Sequence, residues 1–250
     1  MLDGRDVIFL YDGSFYGLLT AVFEAYNRRT FPSGIESDEN VQQALLCDYE
    51  YIETDFEKAR RVEKTVKEKS SAKSLEHIYY AYLSNMNNKG FMIFNYIRAC
   101  CKFGRRVNNY LTLDCVNSVL AAAKNVSNEA HLFKEFIRFA ELKGGVYYAA
   151  IEPKNDVLPA IEHHFIHRYS SMPFLIHDKT HKKCLVYNGK ESVIRETDII
   201  PVLEMSENER QYNDLWKCFF KEVEIKERHN ERCQNTHLPK RFRKNMVEFN

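Results

Sequence analysis

The chain has 250 residues, of which 44% are hydrophobic, and its formal net charge is +1. This hydrophobic content is enough for a packed core, so it excludes a largely disordered chain. A nearly neutral chain also carries no global signature of nucleic-acid or membrane binding, and any basic site must therefore be local.

The seven cysteines include no CxxC pair, which argues against a disulfide framework or a zinc ribbon. They suit a reducing compartment. The N-terminus lacks the pattern of an export signal, and no apolar run approaches the roughly 18 residues of a membrane span. We therefore expect a cytoplasmic protein without a membrane segment.

The first predicted elements are a strand at residues 7–11 and an amphipathic helix after Asp12-Gly13-Ser14. Free N–H groups at such a helix start can hold a phosphate, although a capping role for Asp12 or Ser14 is the commoner outcome. Residues 55–125 then show helical patterns only, which predicts an all-helical insert. Four basic residues of this insert can contact phosphates or form a solvated helix end. They are Arg98, Lys102, Arg105 and Arg106.

The centre of the chain predicts a helix with Leu132, Phe136 and Phe139 on its apolar side, ended by Lys143-Gly144-Gly145. A strand at 146–151 and a short helix at 161–169 follow. Two more strands, at 174–178 and 183–187, are joined by a polar turn. Asn188-Gly189 then predicts a two-residue hairpin connection. These patterns indicate an antiparallel meander packed on a helix.

The predicted fold is a single α+β domain over residues 1–250, with a mainly antiparallel sheet packed with helices. Residues 55–125 form its all-helical elaboration in the first half of the chain, and residues 205–250 form a C-terminal helix and basic tail. We expect the strands near 7–11, 146–151, 174–178 and 183–187 to share one sheet.

Reactive motifs are scarce. His131, Glu135 and Arg138 share one helical stripe, which suits an acid–base set but is more often a surface ion-pair row. His163 and His167 are four residues apart, yet HExxH is absent and no further ligand has a recognised spacing. Nucleophile signatures and an iron–sulfur ligand set are also missing. We expect neither a metal nor a cofactor.

The C-terminal helix has an apolar side that we expect to dock on the core, formed by Tyr212, Leu215, Trp216, Phe219, Phe220 and Val223. From Lys217 to Asn245 there are nine Lys or Arg against four Glu. This local excess predicts a phosphate-binding face, in which Phe242 could stack on a base. A solvated tail is the alternative. The residues of the predicted face are Arg228, Arg232, Lys240, Arg241, Arg243 and Lys244.

Several segments together resemble a bacterial family of DNA metabolism or DNA repair proteins whose biochemical activity is unknown. The matching residues run almost from end to end of the chain. They include Tyr11-Asp12-Gly13-Ser14-Phe15, Glu129-Ala130-His131, Phe136-Ile137-Arg138-Phe139, Tyr147 to Pro153, His164-Phe165, Arg168-Tyr169, Ile176-His177-Asp178, Trp216 to Arg228 and Arg241 to Phe249.

The resemblance implies a companion of a radical-SAM iron–sulfur protein that modifies or repairs DNA. A related domain in that family is fused to uracil-DNA glycosylase-like modules. The present chain lacks the radical-SAM cysteine triplet and the glycosylase motifs, and the family offers no established catalytic residues. Because its polar matches gather on two helices, we expect His131 and Arg138 to lie near His164 or Arg168.

Three functions remain open from the sequence. The first is a DNA-binding accessory protein of a radical-SAM enzyme, and the second is a stand-alone enzyme on DNA or nucleotides that uses the region of His131, Arg138 and His164. The third is a scaffold that binds only its protein partner. A convergent buried pocket would favour the enzyme, and a large apolar patch without basic groups would favour the scaffold.

Overall fold

The structure is a computed structural model in which both helices and strands are present, which confirms the predicted α+β class. Its contacts divide the chain into two compact units, Met1–Ser127 and Asn128–Asn250. In the part of the chain that the structure describes, no helix is long and apolar enough to cross a membrane. The described residues are 6–38, 47–197, 204–223, 225–228 and 230–249.

The sheet of the first unit has three parallel strands in the order β2-β1-β3. They are β1 (Asp6–Tyr11), β2 (Gly34–Ser37) and β3 (Cys47–Tyr51). The central strand β1 carries the predicted apolar run and buries Phe9 and Tyr11. Because parallel strands need a crossover connection, a helix separates β1 from β2.

That crossover helix, α1 (Phe15–Asn27), begins after the turn at residues 12–14. The Ser14 hydroxyl accepts a hydrogen bond from the Gly17 N–H at 2.9 Å and so caps the helix. Asp12 accepts hydrogen bonds from the N–H and the hydroxyl of Ser14, at 3.0 and 2.7 Å. Ser14 thus has the capping role that the sequence presented as the commoner alternative to an anion site, and Asp12 holds Ser14 in place.

Helices make up most of the chain between β3 and the second sheet. Residues 55–125, all of which are described, contain helical segments and no strand, as their patterning predicts. The helices of this region are α2 (Phe56–Lys69), α3 (Ala72–Tyr82), α4 (Lys89–Phe103) and α5 (Asp114–Phe136). In the first unit, their apolar sides join α1 and the strands β1 and β2 in one buried core.

The second unit has a five-stranded sheet in the order β4-β5-β6-β7-β8. Strands β5 and β6 are parallel and the other neighbouring pairs are antiparallel, so this sheet is mixed. The strands are β4 (Ala140–Glu141), β5 (Tyr147–Ile151), β6 (Phe174–Asp178), β7 (Lys183–Tyr187) and β8 (Ser192–Glu196).

Helix α6 (Leu158–Arg168) makes the crossover between the parallel strands β5 and β6 and buries Leu158, Ile161 and Phe165 in the core of this unit. In the described ranges, three α-helices follow the sheet. They are α7 (Glu207–Val223), α8 (Glu231–His237) and α9 (Lys240–Arg243).

The prediction of one shared sheet is wrong, because β1 belongs to the three-stranded sheet whereas β5, β6 and β7 belong to the other. A helix follows β1 directly, and β1 therefore takes parallel partners from nearby in the chain. The mainly antiparallel arrangement is also wrong as a general description, although the predicted meander exists as β6-β7-β8. The single-domain assignment over residues 1–250 stays a prediction.

The helix that the sequence extends to the paired glycines ends at Phe136 instead. Gly144 and Gly145 adopt φ values of 98° and 76° in the turn between β4 and β5. In this turn the Leu142 N–H donates to the Val146 carbonyl at 2.9 Å. The glycines thus supply the expected left-handed backbone, but they connect two strands and do not end a helix.

The hairpin predicted at Asn188-Gly189 is present between β7 and β8, but its connection has four residues, 188–191, and not two. The Asn188 side chain explains the length. Its carboxamide oxygen accepts hydrogen bonds from the N–H groups of Lys190 and Glu191, at 2.9 and 2.8 Å. Such side-chain to backbone bonds stabilise a wider turn than the dipeptide alone predicts.

A buried carboxylate holds the turn between β6 and β7. Asp178 Oδ1 accepts hydrogen bonds from the N–H groups of Thr180 and His181, at 2.9 and 3.1 Å. Asp178 Oδ2 lies 2.7 Å from His181 Nδ1. This hydrogen bond raises the pKa of His181 because it stabilises the imidazolium form.

We expect the pair of Asp178 and His181 to make stability depend on pH. The folded pKa of His181 lies above its unfolded value of about 6.5, so the contribution is fully present below that value and is lost as pH rises through the folded pKa. The free energies of unfolding of wild type and His181→Gln should therefore differ more near pH ~5.5 than near pH ~9. Urea titrations measure this difference. The exposed His131 supplies the control, His131→Gln, and an equal difference at both pH values would contradict the expectation.

We also expect Gly90→Ala to destabilise the first unit by about 1–3 kcal/mol. A Cβ at Gly90 would lie 2.3 Å from the Ile35 carbonyl oxygen, a backbone atom that cannot rotate away. Gly34→Ala is the matched control, because its Cβ would meet side-chain atoms and no backbone atom, namely Ile8 carbons at 3.4 Å and Glu36 Oε1 at 3.8 Å. It should change the free energy of unfolding in urea by less than about 1 kcal/mol. Equal stabilities of the two variants would refute the predicted close approach.

Candidate nucleic-acid interface

Two of the four residues predicted to form a polar site have partners elsewhere. His131 Nε2 lies 3.1 Å from Glu135 Oε1, one turn along α5, and its side chain is 72% exposed. Arg138 Nη2 lies 3.9 Å from Glu248 Oε1, and the Glu248 side chain is mostly buried. His131 therefore belongs to a surface ion-pair row, whereas Arg138 contacts the C-terminal segment.

The other two residues lie on α6. His164 Nε2 is buried without a hydrogen-bond partner in the described ranges. Burial lowers the pKa of His164, and the positive charges of Lys134 and Arg168 lower it further. No hydrogen bond or ion pair between described residues joins His164 or Arg168 to His131 or Arg138. A functional role for these four side chains stays a prediction.

The histidine pair on α6 is an isolated surface feature. His163 Nε2 and His167 Nε2 lie 2.9 Å apart, and both residues are exposed. Across the described ranges, no group of three or more His, Cys, Asp or Glu side chains could hold a metal ion.

Arg98, from the basic cluster of the first unit, packs on aromatic rings. Its guanidinium carbon lies 4.7 Å from the Phe31 ring centroid and 5.6 Å from that of Phe94. Its Nη1 also donates to Asn95 Oδ1 at 3.3 Å. These contacts hold the Arg98 guanidinium over aromatic rings. The side chain therefore stabilises the local packing of the first unit through cation–π interactions.

Three of the six residues of the predicted phosphate-binding face make internal contacts. Arg241 Nη1 lies 2.7 Å from Glu129 Oε1, and Lys244 Nζ lies 2.5 Å from Glu152 Oε2. Arg243 donates from Nη2 to the Leu238 carbonyl at 2.9 Å. The charges of Arg241 and Lys244 are largely compensated by carboxylates, so a count of basic residues overstates the positive surface.

The sequence suggested that the Phe242 ring could stack on a base, but this ring lies in the core. Its centroid is 4.9 Å from that of Phe133 and 5.5 Å from that of Phe136, and it is 6% exposed. The expected base contact is therefore wrong. The short helix α9 buries its aromatic residue against α5, so it is anchored and is not a solvated tail.

Glu129 is the anchor of this segment. Its carboxylate is 4% exposed and accepts hydrogen bonds from the N–H groups of Lys154 and Asn155, at 3.0 and 2.9 Å. The Asn155 side-chain amide adds a third hydrogen bond at 2.6 Å, and Arg241 completes the set. One buried charge thus joins α5, the loop after β5 and the C-terminal segment.

The apolar side of α7 does not dock on the core as predicted. No residue of α7 is buried, and Tyr212, Trp216 and Phe219 are 69%, 45% and 56% exposed. The hydrophobic periodicity predicts this helix and its apolar side correctly. It cannot show whether that side packs on the core or contacts another molecule. Helix α7 therefore presents an aromatic surface to its surroundings.

This surface includes a cavity of about 800 Å³ that combines aromatic and basic side chains. The rings of Phe219, Phe220 and Phe249 line it together with Arg228 and Arg243. The Phe220 and Phe249 centroids are 5.7 Å apart. No carboxylate is among the described residues that line the cavity.

A second cavity of about 910 Å³ adjoins the same helix. Trp216 and Lys217 of α7 line it, together with Arg138 and Tyr148. The Trp216 and Phe219 rings, whose centroids are 5.7 Å apart, connect the two cavities along α7. We call the residues that line the two cavities the α7 surface.

Sequence reasoning missed the aromatic half of this site. It assigned Phe219 and Phe220 to the core and selected the basic residues alone. Of those, Arg228 and Arg243 line the first cavity. A useful signal was available, because Lys217 lies between Trp216 and Phe219 and Lys221 follows Phe220 in the same helix.

We expect Glu129→Ala to destabilise the second unit by about 3–5 kcal/mol, because it leaves the Arg241 guanidinium and the Asn155 amide without their acceptor. Glu68→Ala is the control. Glu68 forms an exposed pair with Lys64 at 3.8 Å, and its loss should cost less than about 1 kcal/mol. Urea unfolding compares the two variants, and similar losses would show that Glu129 is not an anchor.

Comparison with known proteins adds one finding. A family model for a domain of unknown function, DUF4130, matches residues 87–248, which is well over half of the chain. A search of curated proteins finds no match. The matched range contains helices α4 to α9, the whole five-stranded sheet and the α7 surface except Phe249. The chain therefore belongs to the DUF4130 family, a domain of unknown function.

Proposed function

We propose that the protein is a nucleic-acid-binding accessory protein that holds single-stranded DNA on the α7 surface. The observation that carries this proposal is the cavity lined by Phe219, Phe220 and Phe249 together with Arg228 and Arg243, with no carboxylate among its described lining residues. Aromatic rings beside basic groups are the means by which proteins hold unpaired bases and track their phosphates.

The geometry favours a single strand over a duplex. Stacking on Phe219 or Trp216 requires a base whose face is free, and in a duplex both faces are covered by neighbouring base pairs. The exposed rings supply stacking surface for any base, so the expected preference is for single strands without a strict sequence. Arg228 and Arg243 then contact the backbone.

The proposed reaction belongs to a partner. The resemblance to companions of radical-SAM iron–sulfur proteins implies that such a partner carries the chemistry of DNA repair or modification. In this arrangement the present chain delivers or retains the DNA. The proposal assigns it no cofactor and no catalytic residue.

Trp216 provides the test, because it is the single tryptophan of the chain and lies on the α7 surface. Binding of a single-stranded oligonucleotide should quench its fluorescence. Phe219→Ala should weaken binding by about 1–3 kcal/mol, the value of one stacked base. Replacing Arg228, Arg232 and Lys240 together by Ala should reduce the slope of log affinity against log salt by up to about 0.7 per lost contact.

A matched control removes the same charge elsewhere. Arg60, Lys64 and Lys67 are exposed on α2, and their triple Ala variant should retain both affinity and salt slope. If the two triple variants had equal effects, the binding would depend only on the net charge of the protein. Absence of oligonucleotide binding by the wild type, alone and with the radical-SAM partner, would reject the proposal.

A pull-down after co-expression with the radical-SAM protein tests the partnership separately. Retention of the partner without any DNA binding by the pair would favour the scaffold. Turnover of an oligonucleotide or nucleotide by the chain alone would favour the enzyme. The accessory role predicts a stable pair that binds DNA more tightly than the partner does alone.

A further inference from the structure

The first unit contains a polar cavity of about 740 Å³ at the carboxyl ends of β1 and β2. Tyr11 ends β1, and Glu36 and Ser37 end β2. The opposite wall is the loop from Ser84 to the start of α4 at Lys89. In parallel sheets with strands added on both sides of the first one, as in the order β2-β1-β3, this edge is where ligands bind.

A buried phenol lines this cavity. Tyr11 is 2% exposed, and its hydroxyl has no hydrogen-bond partner among the residues that the structure describes. Burial, together with the nearby Asp12 carboxylate, raises the pKa of Tyr11 to about 12, so the hydroxyl keeps its proton. The hydroxyl opens on the cavity and meets no protein acceptor among the described residues, so an acceptor atom on a ligand there would receive its hydrogen bond.

The N-terminus of α4 borders the same space. Its N-cap residue, Asn88, makes no side-chain capping hydrogen bond, so the first N–H groups of this 15-residue helix lack that acceptor. Gly90 allows the helix start to approach β2, since a Cβ there would lie 2.3 Å from the Ile35 carbonyl oxygen. Helix starts of this kind bind phosphate groups.

The remaining lining groups are of other kinds. Glu36 contributes a carboxylate, which is suited to accept hydrogen bonds from a diol, and Asn85 and Asn87 contribute amides, which can pair with the edge of a base. The volume lies within the range of small-molecule and cofactor sites, so it exceeds the need of a phosphate ion.

We propose that this cavity binds a nucleoside 5′-monophosphate. The phosphate lies at the start of α4, the ribose hydroxyls donate to Glu36, and the Tyr11 hydroxyl donates to an acceptor on the ligand. A dinucleotide with its pyrophosphate on α1 is not expected, because the Asp12 carboxylate occupies that turn and would repel it. This inference concerns the first unit and is independent of the proposed function.

Calorimetric titration with each of the four ribonucleoside 5′-monophosphates tests the proposal. Tyr11→Phe removes one hydroxyl without changing the packing of the ring, and it should weaken binding by about 2- to 10-fold. Tyr80→Phe, on α3 and outside the cavity, is the control and should bind as the wild type does. Circular dichroism verifies that each variant is folded.

Glu36→Gln gives a second and independent measurement. It should weaken the ribonucleotide by about tenfold or more, and the corresponding 2′-deoxynucleotide by less, because only the ribonucleotide presents the full diol. The proposal fails if no nucleotide binds to the wild type, or if inorganic phosphate binds as tightly as the best nucleotide. It also fails if both variants bind that nucleotide with wild-type affinity.

Discussion

The arrangement of the second unit depends on the buried carboxylate of Glu129. A buried charge is unfavourable unless it is paired and fully hydrogen bonded, and here three donors near the β5–α6 loop and one guanidinium satisfy it. Arg241, the cationic partner, is 112 positions away in sequence. The ion pair therefore fixes the C-terminal segment, and Phe242 enters the core beside it.

This anchoring changes the meaning of the C-terminal charge. The sequence shows an excess of basic residues, but Arg241 and Lys244 compensate Glu129 and Glu152. Arg243 is held by the Leu238 carbonyl and lies 4.9 Å from the Phe249 ring centroid. It thus keeps its charge at the rim of an aromatic cavity. The uncompensated positive surface is consequently smaller than the composition implies, and part of it lies beside aromatic rings.

Local patterns were enough to predict most of the elements. The runs at 7–11, 146–151, 174–178 and 183–187 became β1, β5, β6 and β7, because a short apolar run between turn residues has few other options. Their partners could not be predicted, since pairing depends on contacts between distant residues. Helix α5 ends early for the same reason, because residues 140–141 pair with β5.

The candidate sites show a different limit. Periodicity identified the apolar face of α7 correctly. The same pattern occurs in helices that pack on a core and in helices that bind another molecule, so it could not predict that this face is exposed. The polar cavity of the first unit was not predicted, because Tyr11 and Glu36 come together only when β1 and β2 pair in parallel. The capping role of Ser14 was predictable because it depends on neighbours in sequence.

Burial of the exposed α7 rings favours association with a partner, and the neighbouring charges determine which kind of partner binds. A soluble protein rarely leaves a large contiguous apolar patch uncovered, so the α7 surface favours association of some kind. Association through apolar contact alone is not weakened by salt, whereas contacts to phosphates release counterions and weaken as salt rises. Under the proposed function, Arg228 and Arg243, which line the cavity with no carboxylate among its described residues, would supply those contacts. Salt dependence therefore separates a nucleic acid from an apolar protein partner on this surface.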